Sequence, residues 1–203
     1  MKLFSFSIPR QISYTIIPLS LIIMGDSILY VILPTNFEFF GINSYIGIPY
    51  EFWIGFILSI NRFVRFFSNI ISVKIFNYLG FRSTIIFACF LGAGSTLFYA
   101  LFKGVILLII ARIIWGFSYS LFRLGYQLKV FSFSVNDYGK YLGYCLGVQR
   151  TGSFLVVTLG VLISIKFGIY ITLIILSLLI IPALFVSFFI KDLDLSKFTP
   201  SKI

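Results

Sequence analysis

Five ionisable side chains stand inside long apolar stretches of this chain: Asp26, Arg62, Arg65, Arg112 and Arg150. Each charge placed at the centre of a hydrocarbon layer costs about 2.5–3.5 kcal/mol on insertion scales, so each must face a cavity, a partner or an interface. One carboxylate cannot neutralise three arginines. Asp26 with Arg112 is a possible pair, and Glu51 sits too near the mouth of its stretch to serve Arg62 or Arg150. Guanidiniums without an acid in low dielectric need water, backbone carbonyls or an anion around them. The chemistry within reach of this set is anion recognition, with Arg62, Arg112 and Arg150 as ligands for a carboxylate or phosphate. Asp26 is then a proton site or the counter-ion of Arg112. The plainer alternative is that Asp26 and Arg112 only hold two helices together.

Other chemistries lack their residues. The chain has no His, which removes Ser-His-Asp hydrolysis and His-ligated zinc. Cys89 and Cys145 both lie in apolar runs and read as small buried thiols rather than a redox pair. No Gly-x-x-x-x-Gly-Lys-Ser/Thr phosphate loop occurs, so an ATP-driven step is not expected. The expectation is a protein that is not an enzyme and holds no metal or cofactor.

The elements that must position these charges follow from composition. Of the 203 residues, 60% are hydrophobic, 20% aromatic and only 11% charged, where a soluble domain carries about 25% charged residues. There is too little polar surface to face water, and an integral membrane protein is the outcome. A helix needs about 20 mostly apolar residues to cross a bilayer. Runs at 14–34, 49–71, 83–102, 104–121, 141–165 and 168–190 meet that length. The expected fold is all-α, a polytopic bundle of six transmembrane helices over 14–190, with a cytoplasmic segment at 1–13 and a cytoplasmic tail at 191–203. The longest polar connection is expected at 125–140. The first run exceeds a secretory h-region, contains Asp26 and is followed by no A-x-A-like site, so it is expected to stay in place.

At about 1.5 Å per residue, Asp26 lies about 18 Å into its span from the cytoplasmic side and Arg62 about as far into the second from outside. By the same rise, Arg150 is about 14 Å deep and Arg112 about 12 Å deep, so these four meet near the midplane. Arg65, one turn deeper than Arg62, is expected to snorkel toward the cytoplasmic boundary.

Orientation follows from the basic residues. Lys2, Arg10, Lys74, Arg82, Arg123, Lys129, Lys140, Lys191, Lys197 and Lys202 fall on one side, and only Lys103 and Lys166 on the other. The positive-inside rule then places both termini in the cytoplasm, and a plasma (inner) membrane is the expected location. Most of the net charge of +10 is thus topology, and no nucleic-acid partner is implied. Gly139, Gly143 and Gly147 recur every four residues, Gly152 and Gly160 follow, and Gly92 and Gly94 flank Ala93. Such spacing predicts close helix approach around a cavity.

Four stretches together resemble the N-terminal six-helix half of an efflux-type major facilitator superfamily transporter. Gly-Asp-Ser-Ile-Leu-Tyr-Val-Ile-Leu-Pro at 25–34 is similar to the acidic residue and Leu-Pro of that family's first helix. Ser-Ile-Asn-Arg-Phe-Val-Arg-Phe-Phe-Ser-Asn at 59–69 resembles the second helix and leads into 73–82, where the family carries Gly-x-x-x-Asp-Arg-x-Gly-Arg-Arg. Ala-Arg-Ile-Ile-Trp-Gly-Phe-Ser-Tyr-Ser at 111–120 is similar to the Arg-x-x-x-Gly of the fourth helix, and Gly-Val-Gln-Arg-Thr-Gly-Ser at 147–153 to the glycine-rich fifth. Of the signature loop, Gly80 and Arg82 match, while Val73, Asn77, Tyr78 and Phe81 replace the other motif residues. A latch built on Asn77, Gly80 and Arg82 would hold differently from the family's. Val157 stands where efflux members often carry Pro.

The resemblance implies a secondary transporter, ion-coupled or facilitative, in which two six-helix halves enclose the substrate. This chain supplies one: either it dimerises, or it pairs with a separate second half, or it is a remnant of a longer protein, and the bilayer and a small anionic solute are its other expected partners. The other function in view is a membrane interaction protein, or a remnant, that keeps the six-helix bundle without transporting.

Overall fold

In hydrocarbon a chain must satisfy its backbone groups internally, and apolar runs of this length do so as helices. The computed structural model describes residues 8–43, 47–133 and 136–195. Lys2, Lys197 and Lys202, counted above for orientation, lie outside the described residues. Six helices are long and apolar enough to cross a membrane: α1 Arg10–Thr35, α2 Tyr50–Leu79, α3 Phe81–Leu101, α4 Val105–Phe133, α5 Tyr138–Phe167 and α6 Ile169–Ser187. No strand forms among the described residues. The protein is an all-α, six-helix integral membrane protein.

The boundaries differ from the expected ones in one place that matters. α4 continues to Phe133, so most of the polar connection expected at 125–140 is helix. Phe122, Gly125, Tyr126, Lys129 and Val130 are buried at helical spacing, while Arg123 and Phe131 point outward. This is an amphipathic helix continued beyond the apolar run. Other interruptions have local causes. Pro182 cannot donate to the carbonyl of Leu178, and α6 is broken at Leu179. α2 and α3, and again α5 and α6, are joined by one residue each, Gly80 (φ 80°) and Gly168 (φ 84°). Both lie in the left-handed half of backbone space that a Cβ disfavours.

α1 runs through the middle, in contact with α3, α4, α5 and α6, while α2 leans chiefly on α4 and α5 chiefly on α1. Burial follows this order: 61% of the apolar window of α1 is buried against 17% for α2, so α2 is an edge helix. The apolar core is divided in two. One cluster holds Ile16, Leu19, Phe81, Trp115, Phe122 and Tyr126 at one end of the bundle. The other holds Leu29, Leu33, Phe40, Ile57, Leu108 and Leu173 at the opposite end. Between them, on successive helices, lie the buried polar residues Asp26, Asn61, Ser95, Thr96, Arg112 and Gln149. A polar layer thus separates the two apolar clusters.

Close helix approach is real, but at other glycines than the regular stripe. A Cβ on Gly139, Gly143 or Gly147 would meet nothing within 4 Å, so these three do not pack helices together within the bundle. A Cβ on Gly152 would fall 2.2 Å from the backbone oxygen of Ser20, and one on Gly92 2.4 Å from Ile22 Cγ2. The α1–α5 seam also carries hydrogen bonds at seven-residue intervals along α1. Ser13 Oγ bonds the Tyr144 hydroxyl (3.0 Å), Ser20 Oγ donates to the Val148 carbonyl (2.8 Å), and Ser27 Oγ donates to Ser153 Oγ (2.9 Å).

Candidate functional site

The polar layer opens into a cavity of about 510 Å³ between α1, α2, α4 and α5. α1 contributes Asp26, Ser27 and Tyr30, one turn apart on one face. α2 contributes Arg62 and Arg65, α4 contributes Tyr119, and α5 contributes Gln149, Arg150, Ser153 and Val157. Two of the three expected anion ligands, Arg62 and Arg150, therefore reach this cavity from helices on opposite sides of it. Both are exposed on the surface of the single bundle.

Arg112 departs from the expectation. It does not line the cavity but lies behind its wall, fully buried. Its Nη1 donates to Asp26 Oδ1 in an ion pair. Its Nε donates to the Ile57 carbonyl at 3.1 Å, and its Nη2 to the Leu58 carbonyl at 3.1 Å and the Tyr30 hydroxyl at 3.0 Å. A guanidinium presents five N–H donors in a fixed fork, and these contacts tie α4 to α1 and α2 at one point. Arg112 is thus placed to position Asp26 and Tyr30, its donors taken up by them and by the Ile57 and Leu58 carbonyls. Asp26, also buried, has one face on the cavity and one on Arg112.

Arg65 takes the place expected for Arg112. Instead of snorkelling to the boundary, its guanidinium lies 3.8 Å from the centroid of the Tyr119 ring and lines the cavity. Cation–π contact with a partly desolvated tyrosine holds such a charge without neutralising it. Asp26 is ion-paired with Arg112, and none of Arg62, Arg65 and Arg150 has an ion-pair partner among the described residues, so these three bring surplus positive charge to one cavity. Their arrangement suits an anionic guest, since guanidiniums hold carboxylate or phosphate through charge-assisted hydrogen bonds.

The expected latch residues stand elsewhere. Asn77 is exposed near the end of α2, about 22 Å along the helix from Arg62 at 1.5 Å per residue. Gly80 forms the α2–α3 turn, and the Arg82 backbone N–H donates to Asp192 Oδ1 at 2.9 Å. A carboxylate from beyond α6 therefore caps the first turn of α3, with the Arg82 guanidinium 5.3 Å from the Phe188 ring centroid. At the same end, Lys129 Nζ donates to the Lys191 carbonyl (2.7 Å), and Gln11 bonds the Phe189 carbonyl (3.1 Å) and the Lys191 N–H (2.8 Å). The start of α1, the α2–α3 turn and the ends of α4 and α6 are thus fastened together.

Tyr30, Tyr119, Gln149 and Ser153 were not singled out as site residues from the sequence. Spacing held a signal for some of them: Tyr30 follows Asp26 by four, and Ser153 and Val157 continue the face of Gln149. α5 also passes through a π-helical turn at Val156–Gly160 beside the cavity. A second hollow, of about 620 Å³ near Gly41 and Lys103, has Lys103 as its one charged lining residue and offers much less to an ion. No protein-family model and no curated protein matches the chain, so what the cavity does is argued from its own residues.

Proposed function

We propose that the protein is a membrane carrier that moves a small anionic solute through the cavity between α1, α2, α4 and α5. The observation that carries this reading is the meeting of Arg62, Arg65 and Arg150 on one cavity with no ion-pair partner among the described residues. Arginines at that depth are unfavourable unless they have a task or a cover. We read the bundle as akin to one half of a major facilitator carrier, working with a second six-helix bundle, either a second copy or another chain. The central place of α1 and the flanking of the cavity by α2 and α5 support that reading. So does the open side of the cavity, which lipid cannot cover without stranding Arg62 and Arg150 in hydrocarbon.

The test is uptake into proteoliposomes of organic and phosphorylated anions, with and without a proton gradient. At least one anion should accumulate, and Arg62→Gln and Arg150→Gln should each lower its uptake by about tenfold, the worth of one charge-assisted contact. Both side chains are exposed, so folded yield should hold. Failure of every anion to enter, or full uptake by both variants, overturns the carrier reading. Complete inactivity toward all solutes would favour a membrane interaction protein instead.

Both termini are assigned to the cytoplasm of a plasma or inner membrane, on the basic-residue asymmetry. Cys89 and Cys145 are buried and should stay silent to an impermeant maleimide in intact cells. Asn43→Cys should therefore label from outside, and Asn136→Cys only after the membrane is opened. The reverse pattern would invert the topology.

A further inference from the structure

Two residues that line the cavity, Gln149 and Arg65, each carry a buried polar atom with nothing to bond. Gln149 is 4% exposed, and its Nε2 donates to the Tyr119 hydroxyl at 3.0 Å. That leaves Gln149 Oε1, a buried acceptor, with no donor. Arg65 Nε, a buried donor, has no acceptor. Buried polar atoms in native proteins are nearly always paired, and an orphan at a ligand site points to what the ligand must supply. An acceptor is supplied by any anion. A donor is not: a fully ionised carboxylate or phosphate group has none.

The charge sets the second requirement. Asp26 and Arg112 cancel each other, and Arg62, Arg65 and Arg150 remain. A monoanion would leave most of that surplus unbalanced in a region of low dielectric, whereas a dianion comes close to matching it. The volume, about 510 Å³, lies in the range of about 300–1,000 Å³ typical of small-molecule sites.

Resting on the carrier reading above, we propose that the cavity selects a small organic dianion that also bears a hydroxyl group. Arg62, Arg65 and Arg150 hold the charged groups, and the hydroxyl donates its hydrogen to Gln149 Oε1. A phosphomonoester of a polyol and a hydroxylated dicarboxylate both satisfy this chemistry. Gln149 is the residue that distinguishes them from their deoxy counterparts.

The experiment is isothermal titration of the full chain in nanodiscs at pH 8 with two matched pairs: glycerol phosphate against methyl phosphate, and malate against succinate. At that pH a phosphomonoester, with its second pKa near 6, is a dianion without an acidic O–H. In at least one pair the hydroxylated member should bind about fivefold to tenfold more tightly, the worth of one hydrogen bond. The pair that shows the gap identifies phosphate or dicarboxylate as the charged group. Gln149→Leu should erase the gap, and Arg62→Gln should weaken both members of the pair while preserving it. Equal binding within both pairs, or a gap that survives Gln149→Leu, overturns the inference and leaves the anion reading standing. Absence of binding by all four overturns the anion reading itself. Should Gln149→Leu fail to fold, the comparison within each pair on the unaltered chain still decides.

Discussion

Asp26→Asn should cost the protein about 3–5 kcal/mol of stability, the penalty for leaving one member of a buried ion pair without the other. Arg112 is fully buried and Asp26 is 4% exposed, so water cannot replace the lost carboxylate charge. The Tyr30 hydroxyl and the carbonyls of Ile57 and Leu58 would still accept hydrogen bonds from Arg112. They are neutral, and none offsets a full positive charge in the middle of the bundle. The single variant should therefore show a markedly lower Tm in detergent and a poor folded yield. Adding Arg112→Gln removes the stranded charge and should restore most of the yield without restoring uptake, because Tyr30 loses its anchor. If Asp26 is instead a solvated proton site, Asp26→Asn should fold normally and lose only the proton-coupled part of transport. A double variant no more stable than the single would remove the ion-pair account.

That pair was legible in the sequence because depth depends on counting residues, and a rise of 1.5 Å per residue is nearly constant. The six spans were legible for a similar reason: 18 or more apolar residues in a row leave few other options. What was not legible is direction around each helix. Arg112 and Arg62 have comparable depths, but Arg112 turns toward α1 and α2 backbone while Arg62 turns to the cavity. Arg65 was expected at the boundary because its distance from the cytoplasmic end permits snorkelling; the ring of Tyr119, on a different helix, offers it a nearer resting place. The extension of α4 to Phe133 was hidden by Arg123 and Lys129, which end an apolar run by composition. They do not end an amphipathic helix, since the Lys129 ammonium lies 4.9 Å from the Phe81 ring centroid and donates to the Lys191 carbonyl.

The glycines show most directly what a one-dimensional pattern cannot say. A four-residue repeat at Gly139, Gly143 and Gly147 has the form of a packing stripe, yet the helix turns that face to open space. The glycines of α5 that pack on α1 are Gly152 and Gly160, outside that repeat, and only the position of α1 makes them so. The Ser13, Ser20 and Ser27 series, spaced by sevens, marks the same seam from the other helix, and heptad spacing is the form such a seam takes.

Two alanine substitutions separate these roles. Gly152→Ala places a methyl group 2.2 Å from the Ser20 backbone oxygen and 2.6 Å from Ser20 Oγ. Backbone cannot rotate out of the way as a side chain can, so α1 and α5 must move apart. The displacement would stretch the Ser20–Val148 and Ser27–Ser153 hydrogen bonds and carry Gln149 and Arg150 away from Asp26 and Tyr30. Overpacking of a tight contact costs about 1–3 kcal/mol, and contact with backbone belongs at the upper end of that range. Gly152→Ala should thus lower Tm and also weaken anion binding. Gly143→Ala meets no atom within 4 Å. Alanine exceeds glycine in helix propensity by about 1 kcal/mol, so this variant should match or exceed the parent in stability. Thermal melts of the two purified variants in the same detergent make the comparison. A loss at Gly143→Ala as large as that at Gly152→Ala would mean that the regular stripe is a packing surface within the bundle after all, and that α5 sits differently against α1.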